Sequence, residues 1–152
     1  MISPPQLVDT SYQLMACIQI SVPREQIRHV MDPGLQEILG ALADQGIEPS
    51  GPWFTHHFRI VPEIFEFEIC VPVDKPVKPV GRVQPGEWPA MTVARTVYNG
   101  PYGGLGAAWK EFNEWISANS HEPAEDLWER YILSPPSAPQ TELNRPIKPA
   151  RR

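Results

Sequence analysis

The segment Leu127-Trp128-Glu129-Arg130-Tyr131-Ile132-Leu133 holds the residue types most able to do chemistry. Read as a strand, it places Leu127, Glu129, Tyr131 and Leu133 on one face and Trp128, Arg130 and Ile132 on the other. A plain core strand has no use for a carboxylate among Leu127, Tyr131 and Leu133. Desolvated there, Glu129 could bind an organic cation beside aromatic rings or move a proton. On a wet face it would pair with a Lys or Arg instead. Glu66 and Glu68 share a strand face with Cys70, opposite a face of Phe65, Phe67, Ile69 and Val71 that is expected to meet a helix. His56-His57 resembles a metal-ligating pair, but adjacent strand residues point to opposite faces. No HxH, HExxH or CxxC spacing supports a metal site. Gly103-Gly104-x-Gly106 lacks the phosphate-cradling patterns, and no GxSxG nucleophile elbow occurs.

The elements that must position these groups come in two matching sets. Tyr12–Val22 reads as a strand. Pro33–Gln45 reads as a helix capped by Asp32 and stopped by Gly46. Trp53–Ile60 and Phe65–Val73 read as strands, and Asp74–Glu87 as a Pro- and Gly-rich linker. Ala90–Tyr98 is then a strand, Tyr102–Asn119 contains a helix, and Leu127–Leu133 and Thr141–Ile147 are strands. The halves superpose at a shift of 74 residues, which lays Leu35 on Trp109, Ile38 on Phe112, Leu42 on Ile116 and Glu68 on Glu142. The first strands match at a shift of 78, so the first half carries four extra residues, placed between strand and helix. A duplicated β-α-β-β unit predicts an α+β fold, an antiparallel sheet with two helices on one face. It forms one domain over 1–152: repeat 1 is about 8–73, the linker 74–87 and repeat 2 about 88–148. A groove on the pseudo-twofold axis is expected to hold the ligand, and the sheet face without helices is the expected place for it.

The repeat also exposes an asymmetry. Glu129 falls on Thr55 and Tyr131 on His57, so one half offers an acid and a phenol where the other offers a hydroxyl and an imidazole. Trp53 shares the face of Thr55 and could form a wall. Tyr102, left over after Tyr98-Asn99-Gly100-Pro101 is explained as a turn, either caps the groove or packs under the helix.

Composition narrows the partners. With 13 Lys and Arg against 18 Asp and Glu, a formal charge of −5 argues against nucleic-acid binding. No apolar run approaches the ~18 residues of a membrane span, and no basic residue precedes Arg24 to suggest a secretory signal. Cys17 and Cys70 read as reduced, half-buried thiols of a cytoplasmic protein, with no basic neighbour to stabilise a thiolate.

The ordered pieces Gly51-Pro52-Trp53-Phe54, Phe67-Glu68-Ile69-Cys70-Val71-Pro72-Val73, Tyr98-Asn99-Gly100-Pro101-Tyr102, Trp128-Glu129-Arg130-Tyr131 and Arg145-Pro146-Ile147 resemble the GyrI-like small-molecule-binding domain. This is the effector-binding domain of AraC- and MerR-type multidrug regulators. The resemblance covers about residues 8–148. It implies that Glu129 is the pocket acid that faces lipophilic cations. With the reading of the residues themselves, Trp53, Thr55, His57, Phe67, Tyr102, Trp128 and Tyr131 are the ligand-binding candidates. Strand parity keeps Trp128 and Glu129 from sharing one face of a regular strand. The reading is a stand-alone binder of lipophilic aromatic small molecules, cationic or not, serving xenobiotic sequestration or sensing. It needs no cofactor, no metal, no membrane and no direct contact with nucleic acid, and leaves homodimerisation open. One alternative is a hydrolase that opens strained electrophilic rings such as the cyclopropanes of DNA-alkylating natural products, with Glu129 catalytic. A second is a protein-interaction module of the gyrase-inhibitor type.

Overall fold

The structure is a computed structural model that describes residues 2–60, 62–133 and 138–148. Its strands are β1 (Gln6–Asp9), β2 (Gln13–Pro23), β3 (Phe54–Ile60), β4 (Ile64–Pro72), β5 (Gln84–Trp88), β6 (Thr92–Asn99), β7 (Leu127–Leu133) and β8 (Gln140–Pro146). Its helices are α1 (Ile27–Asp44) and α2 (Leu105–Ala118), each entered through a single 3-10 turn. The strands form one antiparallel sheet in the order β1-β6-β8-β7-β3-β4-β2-β5. The expected α+β fold, with two helices and an antiparallel sheet, is the fold observed.

Side-chain alternation decides which residues each helix covers. One continuous row crosses the sheet through the register pairs Ile18–Ile69, Ile69–Thr55, Thr55–Glu129, Glu129–Leu143 and Leu143–Thr96. Partners in a register share a face. Ile18 and Ile69 pack with Ile38 and Leu42 of α1, and Leu143 packs with Phe112 and Ile116 of α2. Both helices therefore lie on the face that carries Glu129. Helix α1 sits over β2 and β4, and α2 over β6, so the central pair β3–β7 runs between them.

The four extra residues of the first half are one added turn of helix. The helices start 78 residues apart, at Ile27 and Leu105, but end 74 apart, at Asp44 and Ala118. Pro33, read as the first helical position, lies inside α1. It removes one backbone hydrogen bond there. Gly34 follows and is buried; a Cβ on it would stand 2.5 Å from Ile69 Cδ1, so the glycine lets α1 press onto β4.

A second departure is β5, which occupies the end of the stretch read as a linker. Pro85 and Gly86 look like turn residues, yet an edge strand tolerates both, and Gly86 leaves room for Cys17 and Met15 beneath it. At the shift of 78, Gln84–Trp88 falls on Gln6–Thr10, so β5 is the counterpart of β1. The two are exchanged: β1 pairs with β6 of the other half, and β5 with β2. This exchange bends the sheet. Asp9 and Gln13 are four residues apart, a reach of at most about 14 Å, whereas β1 and β2 lie six strand spacings apart, about 29 Å in a flat sheet. The sheet curls toward its helix-free face, where Trp88 of β5 stacks on Trp128 of β7 with ring centroids 4.3 Å apart. The two connectors meet over that face, with Thr10 N–H donating to the Met91 carbonyl (2.7 Å) and Met91 N–H to Thr10 Oγ1 (3.0 Å).

Candidate functional site

The pseudo-twofold axis can be located from the register alone. β3 and β7 pair as Phe54–Arg130, Thr55–Glu129 and His56–Trp128. Exchanging the halves at the shift of 74 turns the first of these pairs into the third and returns Thr55–Glu129 to itself. Glu129 therefore stands on the axis, directly across from its own counterpart.

Around it a short polar chain is buried. Tyr131 Oη donates to Glu129 Oε1 at 2.9 Å and accepts from Thr55 Oγ1 at 2.8 Å. Trp109 Nε1, from α2, donates to Glu129 Oε2 at 2.6 Å. Both carboxylate oxygens are thus held by neutral donors. Glu129 is only 9% exposed, and among the described residues it forms no ion pair. Burial, reinforced by the adjacent Glu129, lifts the Tyr131 phenol well above its ordinary range, so it remains a donor.

Aromatic rings close over this chain. Trp53 packs on Tyr131 with centroids 4.3 Å apart, and Tyr102 meets the same ring edge-on at 6.1 Å. His57 stacks on Phe67 at 5.0 Å. Burial pushes the His57 imidazole below its usual range, against the pull of Glu129, so it is neutral near pH 7. Trp53 and Trp109 are half-buried and Tyr102 is exposed, which leaves the site approachable between the helices.

The structure brings together Trp53, Thr55, His57, Phe67, Tyr102, Glu129 and Tyr131. It does not place Trp128 with them. That side chain lies on the helix-free face, between His56 (3.8 Å, stacked) and Trp88. The expectation that the groove lies on the helix-free face is corrected as well. Crossing connectors and a second core of Met15, Cys17, Phe54, Cys70, Trp88 and Trp128 fill that face. The acid instead lies between the helices, because β3 and β7 inherit their facing from β4 and β8.

Two members of the site were not singled out in the sequence. Trp109 entered the sequence reading only as the match of Leu35, which has no polar atom; a tryptophan there brings an N–H donor over the sheet. Thr141 pairs with Tyr131, and its buried hydroxyl has no partner among the described residues. Burial pushes the Cys17 thiol up to about 12, so it holds no thiolate at neutral pH. No cluster of three or more metal-ligating side chains occurs among the described residues, and none of their helices is long and apolar enough to cross a membrane.

A twofold-repeated α+β domain with an acid and aromatic rings on its axis defines a ligand-binding class. Residues 24–147 match the GyrI-like small molecule binding domain, and the chain belongs to that family. No match is found among curated proteins. Among solved structures, the EcmrR C-terminal domain superposes with a TM-score of 0.84 at 20% identity, over 97% of this chain and 98% of that one. In the EcmrR–DNA complex this chain spans 58% of the EcmrR chain. SAV2435 bound to tetraphenylphosphonium gives a TM-score of 0.70 at 13% identity, covering 96% and 94%. A hydrolase from Listeria innocua gives 0.69 at 9% identity, covering 95% and 91%. At these identities the likeness is one of fold.

Proposed function

We propose that the Glu129 site between the helices binds lipophilic aromatic cations, with Glu129 as the counter-charge, in the service of sequestering or sensing foreign compounds in the cytoplasm. One observation carries the reading: a carboxylate on the twofold axis, nearly fully buried, held only by neutral donors and roofed by aromatic rings. Burying a charge without an ionic partner costs several kcal/mol, a cost that an arriving organic cation would offset. Each ring the cation faces adds about 2 kcal/mol of attraction where the cation is desolvated. The fold shared with a protein that holds tetraphenylphosphonium supports the same reading. A fluorescence titration with matched cationic, neutral and anionic dyes tests it. Cationic dyes bind tightest to the wild type and lose that preference in Glu129→Gln; equal affinity for cations in both proteins removes Glu129 from the site.

A second reading rests on the hydrogen-bonded run Thr55–Tyr131–Glu129. There Glu129 would take a proton from water attacking a strained ring, and return it to the opened product. Positioned proton transfer is worth about 10²–10⁴-fold in rate. Chromatography of a cyclopropane-bearing alkylator incubated with the wild type and Glu129→Gln separates the two readings. A hydrolase releases ring-opened product over many turnovers and loses at least the lower bound of that rate in the variant. A binder gives one-to-one protection and no product above the rate in water.

A further inference from the structure

Glu129 is not open to a ligand as it stands. It is 9% exposed, and each of its carboxylate oxygens already accepts a hydrogen bond. A cation that comes into contact with the acid must take the place of one of the two donors. Those donors are anchored differently. Tyr131 stands on β7 beside the acid, is buried, and also accepts from the Thr55 hydroxyl at 2.8 Å. Moving its phenol would leave that buried hydroxyl unpaired as well.

Trp109 is held less firmly. It reaches Glu129 from α2, across the space between helix and sheet, and is half-buried. Its indole has one N–H and no acceptor, so the 2.6 Å bond to Glu129 Oε2 is the one hydrogen bond it can make. The aromatic ring it meets, Phe112 with centroids 5.6 Å apart, belongs to the same helix. Long side chains on a helix lean toward its N-terminus, over the positions three and four residues before. For Trp109 these are Gly106 and Leu105. Gly106 is exposed, and a Cβ placed on it would meet nothing within 4 Å, so the indole has open space on that side.

We propose that Trp109 is a built-in competitor for the acid: its N–H occupies the place of the ligand's charge in the free protein, and a bound cation takes that place while the indole swings toward Gly106. The inference rests on the reading of Glu129 as the counter-charge, and makes Trp109 the residue that sets the affinity threshold. A charge-assisted hydrogen bond in a dry site is a strong one, so a weakly attracted compound leaves the indole where it is. A ligand that does displace the ring still finds its π face to pack against.

Two measurements on the full chain test this. The first is nuclear magnetic resonance of protein isotope-labelled at its five tryptophans, with the Trp109 indole signal assigned by its absence in Trp109→Phe. The short bond to a carboxylate holds that signal downfield, and saturation with tetraphenylphosphonium moves it upfield, toward the position of a solvated indole. The second is calorimetric titration of the same cation. Trp109→Phe keeps a ring and removes the donor, so it binds at least ~threefold tighter than the wild type. A tryptophan that only packs against the ligand gives the reverse, since the smaller ring loosens the site and weakens binding. An indole signal unmoved at saturation, or binding by Trp109→Phe that is no tighter than by the wild type, overturns the proposal. Glu129→Gln is titrated alongside. If it binds the cation as the wild type does, the Glu129 reading has failed and the competitor with it; if it binds more weakly while either of the other two results holds, the competitor alone is lost.

Discussion

Glu129 costs the fold more than a hydrophobic residue would, and Tyr131 is the side chain that makes the position tolerable. Its phenol joins Thr55 to the carboxylate, so Tyr131→Phe leaves a buried hydroxyl and a buried charge each short of one partner. The expected loss of stability is about 1–3 kcal/mol, read from urea unfolding at pH 7, while Trp53 keeps its ring neighbour. An unchanged unfolding midpoint would show that the chain of hydrogen bonds carries no weight. The acid itself was legible in the sequence, since a carboxylate among apolar strand residues, matched by Thr55 in the other half, is an asymmetry that a repeat displays. Trp109 was not legible, because a helical stripe shows which residues face the sheet and not which of them donates a hydrogen bond to it.

At the scale of elements, β3 and β7 send alternate residues to two different environments. His56 leaves the Glu129 face and bridges Glu68 of β4 and Asp126, just ahead of β7, with its ring stacked on Trp128. Burial works against its protonation, but the two carboxylates prevail and raise its imidazole above the ordinary range. A raised pKa in the folded state stabilises the protein fully below pH 6.5 and progressively less as pH climbs through the folded value. The stability gap between wild type and His56→Gln should therefore be widest below pH 6.5, on the order of 1–3 kcal/mol, and close at higher pH. A gap that widens with rising pH would contradict the bridge. Helix α1 presses on β4 only because Gly34 has no side chain. Gly34→Val should cost about 1–3 kcal/mol through overpacking, against Ile69, whereas the same change at exposed Gly40 meets nothing within 4 Å and should gain a few tenths of a kcal/mol in helix propensity. Strand positions and the apolar faces of both helices could be read from periodicity. The helix start could not, because Asp32-Pro33-Gly34 has the chemistry of a cap while tertiary packing carries the helix through it. The facing of the central strands was equally hidden, since alternation yields two faces without saying which one the helices cover.

Across the whole molecule, the exchange of β1 and β5 ties the halves together. Each repeat completes the other's outer edge, and the Thr10–Met91 contacts lock the crossing connectors. The halves should unfold as one: thermal melts followed by far-ultraviolet circular dichroism and by tryptophan fluorescence should coincide in a single transition, and two separated transitions would contradict the exchange. The order of elements and the duplication were readable because core positions repeat at a fixed shift. The exchange was not, because β5 is too short and too rich in Pro and Gly to announce itself, and pairing between halves leaves no periodic trace. The same architecture puts Glu129 on the axis, where its charge is proposed to select the ligand. The direct measurement is calorimetric titration of tetraphenylphosphonium and of the uncharged, equally shaped tetraphenylsilane, solubilised identically, into wild type and Glu129→Gln. The wild type should prefer the cation at least tenfold, ~1.4 kcal/mol, and the variant should bind the two alike. Undiminished preference for the cation in Glu129→Gln, or none in the wild type, would contradict selection by that charge.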